Sequence, residues 1–489
     1  MIDTTQAAAV GNAAREELAR RTLLDFCVRL DPKYEFPPHL RLLANRLEAL
    51  ERRDIRRLIV AMPPRHGKSR MCSQLFPAWL MGRRPDSSIV LASYGSELAE
   101  QNSRRVREML GHERYPFDAR VSGESFAVNR WQTLDRGVVI AAGVGSALTG
   151  FGADAMIVDD PIADRASAES PAIRESTWSW FQDVARTRLH AGAIQLLIST
   201  RWHEDDPVGR VLNSEMAREW EYLALPAICD EERDPLGRAI GEALWPEHFP
   251  VNELPSVERG EISSRSFAAL YQQRPQPLEG SIFKAKWFEN RYDELPPLKA
   301  IYTGADCASK VGIANDFSAI VTVGTDDVNF YVLSVVRERL EFADLARRMV
   351  SVHARHGAER FFIEDASSGT PIIQELTRTT DLPILGVPPR GTKLARAEAV
   401  SGLFEAGKVR LPKDAPWVDI FIDELTRFPA GSKHDDQVDA TSLVLSEMRS
   451  RSGGGFYFAI VGPGVDDDER NGDEIRAEYR LAEAAKQKT

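Results

Sequence analysis

Apolar and polar positions alternate along the chain in two different rhythms. Between His39 and Glu51 the apolar residues Leu40, Leu43, Leu47 and Leu50 recur at helical spacing and predict a helix. Four short apolar runs, Leu58 to Ala61, Ser88 to Ala92, Ala155 to Asp160 and Ile194 to Ile198, predict buried strands. Helical stretches lie between them, one over Met71 to Leu80 and one from Glu97 that carries Arg104, Arg105 and Arg107. Strands alternating with helices in this way predict a mostly parallel sheet with its sites at the carboxyl ends of the strands. Residues 1 to about 35 read as an alanine-rich helical segment.

From Pro226 to Pro297 the periodicity weakens while Pro, Gly, Asp and Glu become frequent, which predicts a connecting region pinned to a neighbour by Trp287 and Phe288. A second pattern starts at Ala300. Ile301 to Thr303, Phe317 to Val323 and Val328 to Val336 predict three strands in sequence, the first two joined by a turn holding Asn315 and Asp316. A helix over Phe342 to His356, a strand over Arg360 to Ile363 and a helix over Ala440 to Met448 follow. Beyond Arg449 come Gly453 to Gly455, the aromatic Phe456 to Phe458 and the acidic Asp466 to Glu469, a flexible tail by composition. The expected organisation is an α/β chain with a helical segment over 1–35, a nucleotide-binding domain over 36–225, a connecting region over 226–298, a second domain over 299–450 and a tail over 451–489.

Length supports this division, because 489 residues exceed what one ordinary core organises. No apolar run approaches a membrane span and Met1 to Arg21 lacks the order of a signal peptide, so a cytoplasmic protein without a membrane partner is expected. Cys27, Cys72, Cys229 and Cys307 are far apart and form no metal-ligand spacing, which predicts reduced thiols. The net charge of −11 argues against a surface coated with positive charge for nucleic acid. A local basic groove is compatible with it, and metal-binding carboxylates push the total negative.

The chemistry concentrates in two places. Met62 to Ser69 reads MPPRHGKS, a tight loop between a strand and a helix. Such a loop cradles phosphates with backbone N–H groups around Gly67, with the new helix placing its positive end beneath the anion. Lys68 is expected to reach the β- and γ-phosphates and Ser69 to ligate Mg²⁺. Met62 stands where the usual pattern has glycine, and Pro63 and Pro64 stiffen the loop instead. The strand ending in Asp159 and Asp160 supplies acids beside it: Asp159 for the Mg²⁺ shell, Asp160 to orient or deprotonate the attacking water. Ser199, Thr200 and Arg201, just past the next strand, are placed to sense the γ-phosphate. The alternative for each acid is an ordinary cap or surface charge.

In the second pattern, acids fall at the end of a first strand (Asp306), at the end of a later strand (Glu364, preferred over Asp365) and at a helix start (Asp435, Asp436 and Asp439). Brought together, they repel unless cations lie between them. Two Mg²⁺ or Mn²⁺ ions roughly 4 Å apart would suit such a set and would cleave a phosphodiester, with Asp306 as the bridging ligand.

With both halves in view, the chain resembles the large terminase subunit of tailed bacteriophages and prophages, from about Phe36 to Met448. The resemblance lies in MPPRHGKS, IVDDP (Ile157 to Pro161), STRWHEDDPVG (Ser199 to Gly209), YQQRP (Tyr271 to Pro275) and KHDDQVDA (Lys433 to Ala440). It implies an N-terminal P-loop ATPase of the ASCE type with a mostly parallel sheet, and a C-terminal RNase H-like nuclease with a mixed sheet. Arg65, His66, Gly67, Lys68 and Ser69 then resemble the Walker A loop around ATP, Asp159 and Asp160 the Walker B pair, and Ser199 to Arg201 the coupling motif. Asp306, Glu364 and Asp436 resemble the nuclease acids. Arg65 is the first choice, and Arg201 the second, for the arginine that completes a neighbouring subunit's site. The second Walker B acid is usually glutamate, and Asp160 is shorter by one methylene. The implied function is packaging of double-stranded DNA by a ring of subunits on a portal, with a small terminase subunit as partner, in the host cytoplasm at the procapsid. Two other readings fit part of the pattern: a helicase or repair translocase, and a non-catalytic nucleic-acid scaffold with a degenerate phosphate loop.

Overall fold

A computed structural model describes residues 4–123, 127–148, 150–277, 281–307, 317–366, 369–429 and 434–451. The turn expected at Asn315 and Asp316, Lys433 and the tail features beyond Arg451 lie outside the described residues. The chain divides into two compact units, one holding described residues up to Leu254 together with Ala268–Gln276, the other holding Pro255–Phe267 and the described residues from 281 onward.

In the first unit the strands are β1 (Arg57–Ala61), β2 (Ser88–Ser93), β3 (Arg130–Gln132), β4 (Val138–Gly143), β5 (Ala153–Asp159), β6 (Leu189–Ser199) and β7 (Glu221–Ala224), ordered β3-β4-β2-β5-β6-β1-β7. Only β3 runs antiparallel to its neighbour, so the expected mostly parallel sheet is what forms. Both faces of such a sheet are covered, so successive residues of one strand enter different cores. Leu58 and Val60 join Leu40, Leu43 and Leu47 of helix Pro38–Arg52 on one side. Ile59 joins Val158, Leu197, Trp180 and Phe181 on the other. Register aligns the strand ends, since Ser93 pairs with Asp159, Asp159 with Ile198 and Ala61 with Ser199. The residues after β1, β5 and β6 therefore emerge side by side.

The second unit holds β8 (Arg291–Tyr292), β9 (Ala300–Asp306), β10 (Ser318–Thr325), β11 (Phe330–Glu338), β12 (Arg360–Glu364), β13 (Ile384–Val387) and β14 (Val409–Pro412), ordered β13-β12-β9-β10-β11-β14-β8. The three expected strands β9, β10 and β11 form an antiparallel meander at its centre, and β12 is parallel to β9. Trp287 and Phe288 are buried in this unit's core with Phe404 and Phe421. Helix Asp436–Arg451 starts four residues earlier than the expected Ala440, because the polar cluster at its head is itself helical. Among the described residues no helix is long and apolar enough to cross a membrane.

One glycine decides how closely that helix lies on the sheet. A Cβ built on Gly304 of β9 would stand 2.7 Å from the Ala440 carbonyl oxygen and 2.9 Å from Val444 Cβ. Backbone cannot fold away as a flexible side chain does, so Gly304→Ala is expected to lift the helix and cost about 1–3 kcal/mol. A urea midpoint equal to that of the wild type would show that the helix shifts freely.

Candidate active sites

The phosphate loop of the first unit leaves β1 at Met62, which is fully buried. It turns through two left-handed residues, Arg65 (φ 63°) and Gly67 (φ 81°). At Gly67 a Cβ would lie 3.2 Å from the Leu40 side chain, so both conformation and space favour glycine. A π-helical stretch, Arg70–Leu75, follows before the α-helix Phe76–Arg83.

Lys68 is buried with Nζ 3.6 Å from Asp160 Oδ2. Ser69 Oγ donates to Asp159 Oδ1 at 3.2 Å, and Ser73 Oγ donates to Asp159 Oδ2 at 2.7 Å. Burial, and then the neighbouring charge of Asp160, raises the Asp159 carboxyl well above its usual range, and the two hydroxyls oppose that rise. Asp160 sits at φ 43°, and its Oδ1 accepts the Thr200 N–H at 2.6 Å. The structure thus brings Lys68, Ser69, Asp159, Asp160 and Thr200 together. Arg201 is directed elsewhere: its guanidinium is buried against Asp206 at 2.7 Å, and Asp206 in turn accepts the Gly209 N–H at 2.8 Å. The His66 ring is not available to a ligand either, being stacked on Phe249 at 4.6 Å. Arg65 lies near enough to the buried Tyr271 for its charge to act on that phenol.

Several of these supports were hidden in sequence. Ser73 lies four residues after Ser69, a spacing that puts both hydroxyls on one helix face, and that was the available signal. Trp245 and Phe249 fall where the chain reads as a connecting region, yet they pack around His39 and His66 under the loop. His39 Nε2 lies 3.2 Å from the His66 carbonyl oxygen.

In the second unit, β9 and β12 end side by side, Ile363 pairing with Ala305, which sets Asp306 and Glu364 at adjacent strand ends. Asp435, Asp436 and Asp439 come from the head of helix Asp436–Arg451. Burial, then Asp439, pushes the Asp306 carboxyl up to about 8, with Asp436 and Glu364 adding to the rise and Lys393 opposing it. Those causes place the acids of all three segments within one electrostatic neighbourhood. Asp365, next to Glu364, is exposed and accepts the Thr370 hydroxyl at 2.7 Å. Among the described residues Asp436 Oδ2 is buried with no hydrogen-bond partner, and burial followed by Glu424 and Asp435 raises that carboxyl to about 7.

Glu424 anchors the helix that carries these acids. It accepts the Gln437 backbone N–H and the Gln437 side-chain amide, each at 2.7 Å, and pairs with Arg337 at 3.0 Å. Two cations sequence reasoning missed, Lys393 and Arg396, stand among the acids. Among the described residues no three His, Cys, Asp or Glu side chains converge closely enough to hold an ion as they lie.

Two family models match the chain. The model described as terminase large subunit, T4likevirus-type, N-terminal, matches residues 59–289, and the terminase RNaseH-like domain model matches residues 303–448. Among solved structures, the large terminase of a thermophilic bacteriophage, in its crystal form 2, is 11% identical with a TM-score of 0.52, covering 85% of this chain and 100% of that one. Crystal form 3 of the same phage protein is 12% identical with a TM-score of 0.50, covering 81% and 94%. The large terminase nuclease of the thermophilic phage G20c with bound magnesium is 19% identical with a TM-score of 0.27, covering 35% and 99%. At these identities the likeness to solved structures is one of fold. No curated protein sequence matches.

The two loop histidines generate a pH dependence. Burial holds His39 at about 4 and His66 at about 3, against 6.5 for an ordinary histidine. Between those values and 6.5 the unfolded chain binds more protons than the folded one, so stability rises with pH and is lost as pH falls below about 6.5. Urea unfolding at about pH 7.5 and about pH 5.5 is expected to show the first unit weakened by acid, and His39→Gln is expected to narrow the gap. A gap that persists unchanged in the variant would assign the loss to other groups.

Proposed function

This chain belongs to the terminase large-subunit family, and on that premise we propose that it is an ATP-driven motor for packaging double-stranded DNA, joined to a metal-dependent endonuclease. The observation that carries the reading is the contact of Lys68 with Asp160 and of Ser69 with Asp159 at the carboxyl ends of a parallel sheet, in the same polypeptide as the acids around Asp306.

At the first site the loop backbone and Lys68 bind the β- and γ-phosphates of ATP. Lys68 and Asp160 are partners at 3.6 Å, so a triphosphate that draws Lys68 toward itself frees Asp160 Oδ2 to accept a proton from water. Thr200 N–H keeps the other oxygen and fixes the carboxylate's direction. Ser69 and Asp159 would hold Mg²⁺, which would supply charge neutralisation to the triphosphate. Ser73 positions Asp159 from its other side. Arg65, at the left-handed turn of the loop, is the arginine we assign to a neighbouring subunit's site, since Arg201 is committed to Asp206.

At the second site Asp306, Glu364 and Asp436 would hold Mg²⁺ or Mn²⁺, with Asp435 and Asp439 supporting them. The buried Asp436 Oδ2, which has no hydrogen-bond partner among the described residues, and the all-carboxylate donor set fit hard divalent ions. Such ions supply an activated water and stabilise charge on the scissile phosphate. Glu424 fixes the helix that presents Asp436. In the cell the chain acts as a homo-oligomeric ring on the portal of a procapsid in the host cytoplasm, with the small terminase subunit, translocating duplex DNA and cutting the concatemer.

Both halves are open to direct test with the full chain. Lys68→Ala is expected to lower ATP turnover by about 100-fold or more. Asp306→Ala is expected to abolish Mn²⁺-dependent nicking of supercoiled plasmid. Equal ATP rates for Lys68→Ala refute the motor, and undiminished cutting by Asp306→Ala refutes the nuclease.

A further inference from the structure

We propose that Lys393 and Arg396 form an intramolecular cation clasp that neutralises the acid cluster in the metal-free protein and releases its carboxylates to divalent ions, so that these two residues set the metal affinity of the site. The proposal rests on the nuclease reading above.

Lys393 and Arg396 lie three residues apart at the start of helix Lys393–Glu405, on one face. Lys393 Nζ is 2.7 Å from Asp435 Oδ1 and 2.7 Å from Asp439 Oδ2. The Arg396 guanidinium is 2.8 Å from Asp439 Oδ1 and 3.4 Å from Glu364 Oε2. Both oxygens of Asp439 are therefore taken; Lys393 bridges two acids at the head of helix Asp436–Arg451, and Arg396 ties that helix to Glu364 at the end of β12. The clasp is built into the helix start: Thr392 Oγ1 accepts the Ala395 N–H at 3.2 Å and fixes the turn from which both cations project.

The neutralisation is incomplete. Lys393 and Arg396 pair with Glu364, Asp435 and Asp439, while among the described residues no ion pair reaches Asp306 or Asp436, and Arg337, a cation whose charge acts on Asp436, is paired with Glu424. The uncovered pair is where added positive charge is drawn first. Glu364, already paired with Arg396, would be shared with a divalent ion held there, and the positive charge of Lys393 would oppose such an ion. Lys393 is suited to yield, because an ammonium on a flexible stem is a point charge without the fixed fork of arginine.

The test is Mn²⁺ titration of the nucleotide-free full chain, read by the electron paramagnetic resonance of free Mn²⁺, with Asp306→Asn identifying the ions that belong to this site. Lys393→Met is expected to bind Mn²⁺ about tenfold more tightly than wild type, because the repelling charge is gone. It is also expected to melt lower without metal and to gain more on Mn²⁺ addition. Lys393→Arg, which keeps the charge, is expected to return the affinity toward wild type. Should Lys393→Met fail to fold without metal, Arg396→Met carries the same expectation through Glu364. Equal or weaker Mn²⁺ affinity in the Met variants overturns the clasp and leaves the nuclease reading standing. Absence of any Asp306-dependent Mn²⁺ binding, in wild type and variants alike, overturns both.

Discussion

A carboxylate at the end of a buried strand loses its water and must be compensated by its surroundings, and both units are arranged around that requirement. Asp159 is 2% exposed and ends a central strand of the first sheet. Its charge is tolerable because Ser69 and Ser73 donate to its two oxygens and Lys68 stands nearby. In the second unit the acids are too many for hydroxyls to serve, and two full cations are used. The first site meets the cost with two hydroxyls and one lysine, the second with a lysine and an arginine.

The first site is supported from below as well as from beside. The loop bends through a non-glycine left-handed residue at Arg65, a conformation that persists only when its surroundings determine it. Those surroundings include the buried His66, stacked on Phe249 and bonded through its main chain to His39, with Trp245 closing the cluster. The link from Asp160 to Thr200 then ties the acid that faces water to the residue after the neighbouring strand. Thr200 continues directly from β6 into Arg201, whose buried pair with Asp206 lies behind it.

Much of this was legible in the chain because the signals were local. Apolar runs such as Leu58 to Ala61 and Ala155 to Val158 became strands of the parallel sheet, and the spacing of Leu40, Leu43, Leu47 and Leu50 became a helix. The phosphate loop and the acids after β5 were readable from their motifs and their place after strands. Other features depend on tertiary pairing that no periodicity encodes. Nothing in the local pattern around Lys393 says that it will meet Asp435 and Asp439, more than forty positions away, or that Glu424 will cap the helix of Asp436. The commitment of Arg201 to Asp206 is local in sequence, five residues apart, yet its burial is decided by Tyr222 and the helix Pro207–Leu212. The aromatic cluster under the loop was missed because Trp245 and Phe249 lie in a stretch rich in turn residues, where isolated aromatics carry no period.

The close approach at Gly304 has a further consequence for the second site. Because the helix after Asp435 lies so close on β9 at Gly304, with the Ala440 carbonyl, Val444 Cβ and Val444 N all within reach of a Cβ there, the offset between Asp306 and Asp436 depends on the absence of a side chain at that point. Any side chain added at position 304 would press on the helix that carries Asp436, so the spacing of the acids depends on a residue that contributes no side chain at all.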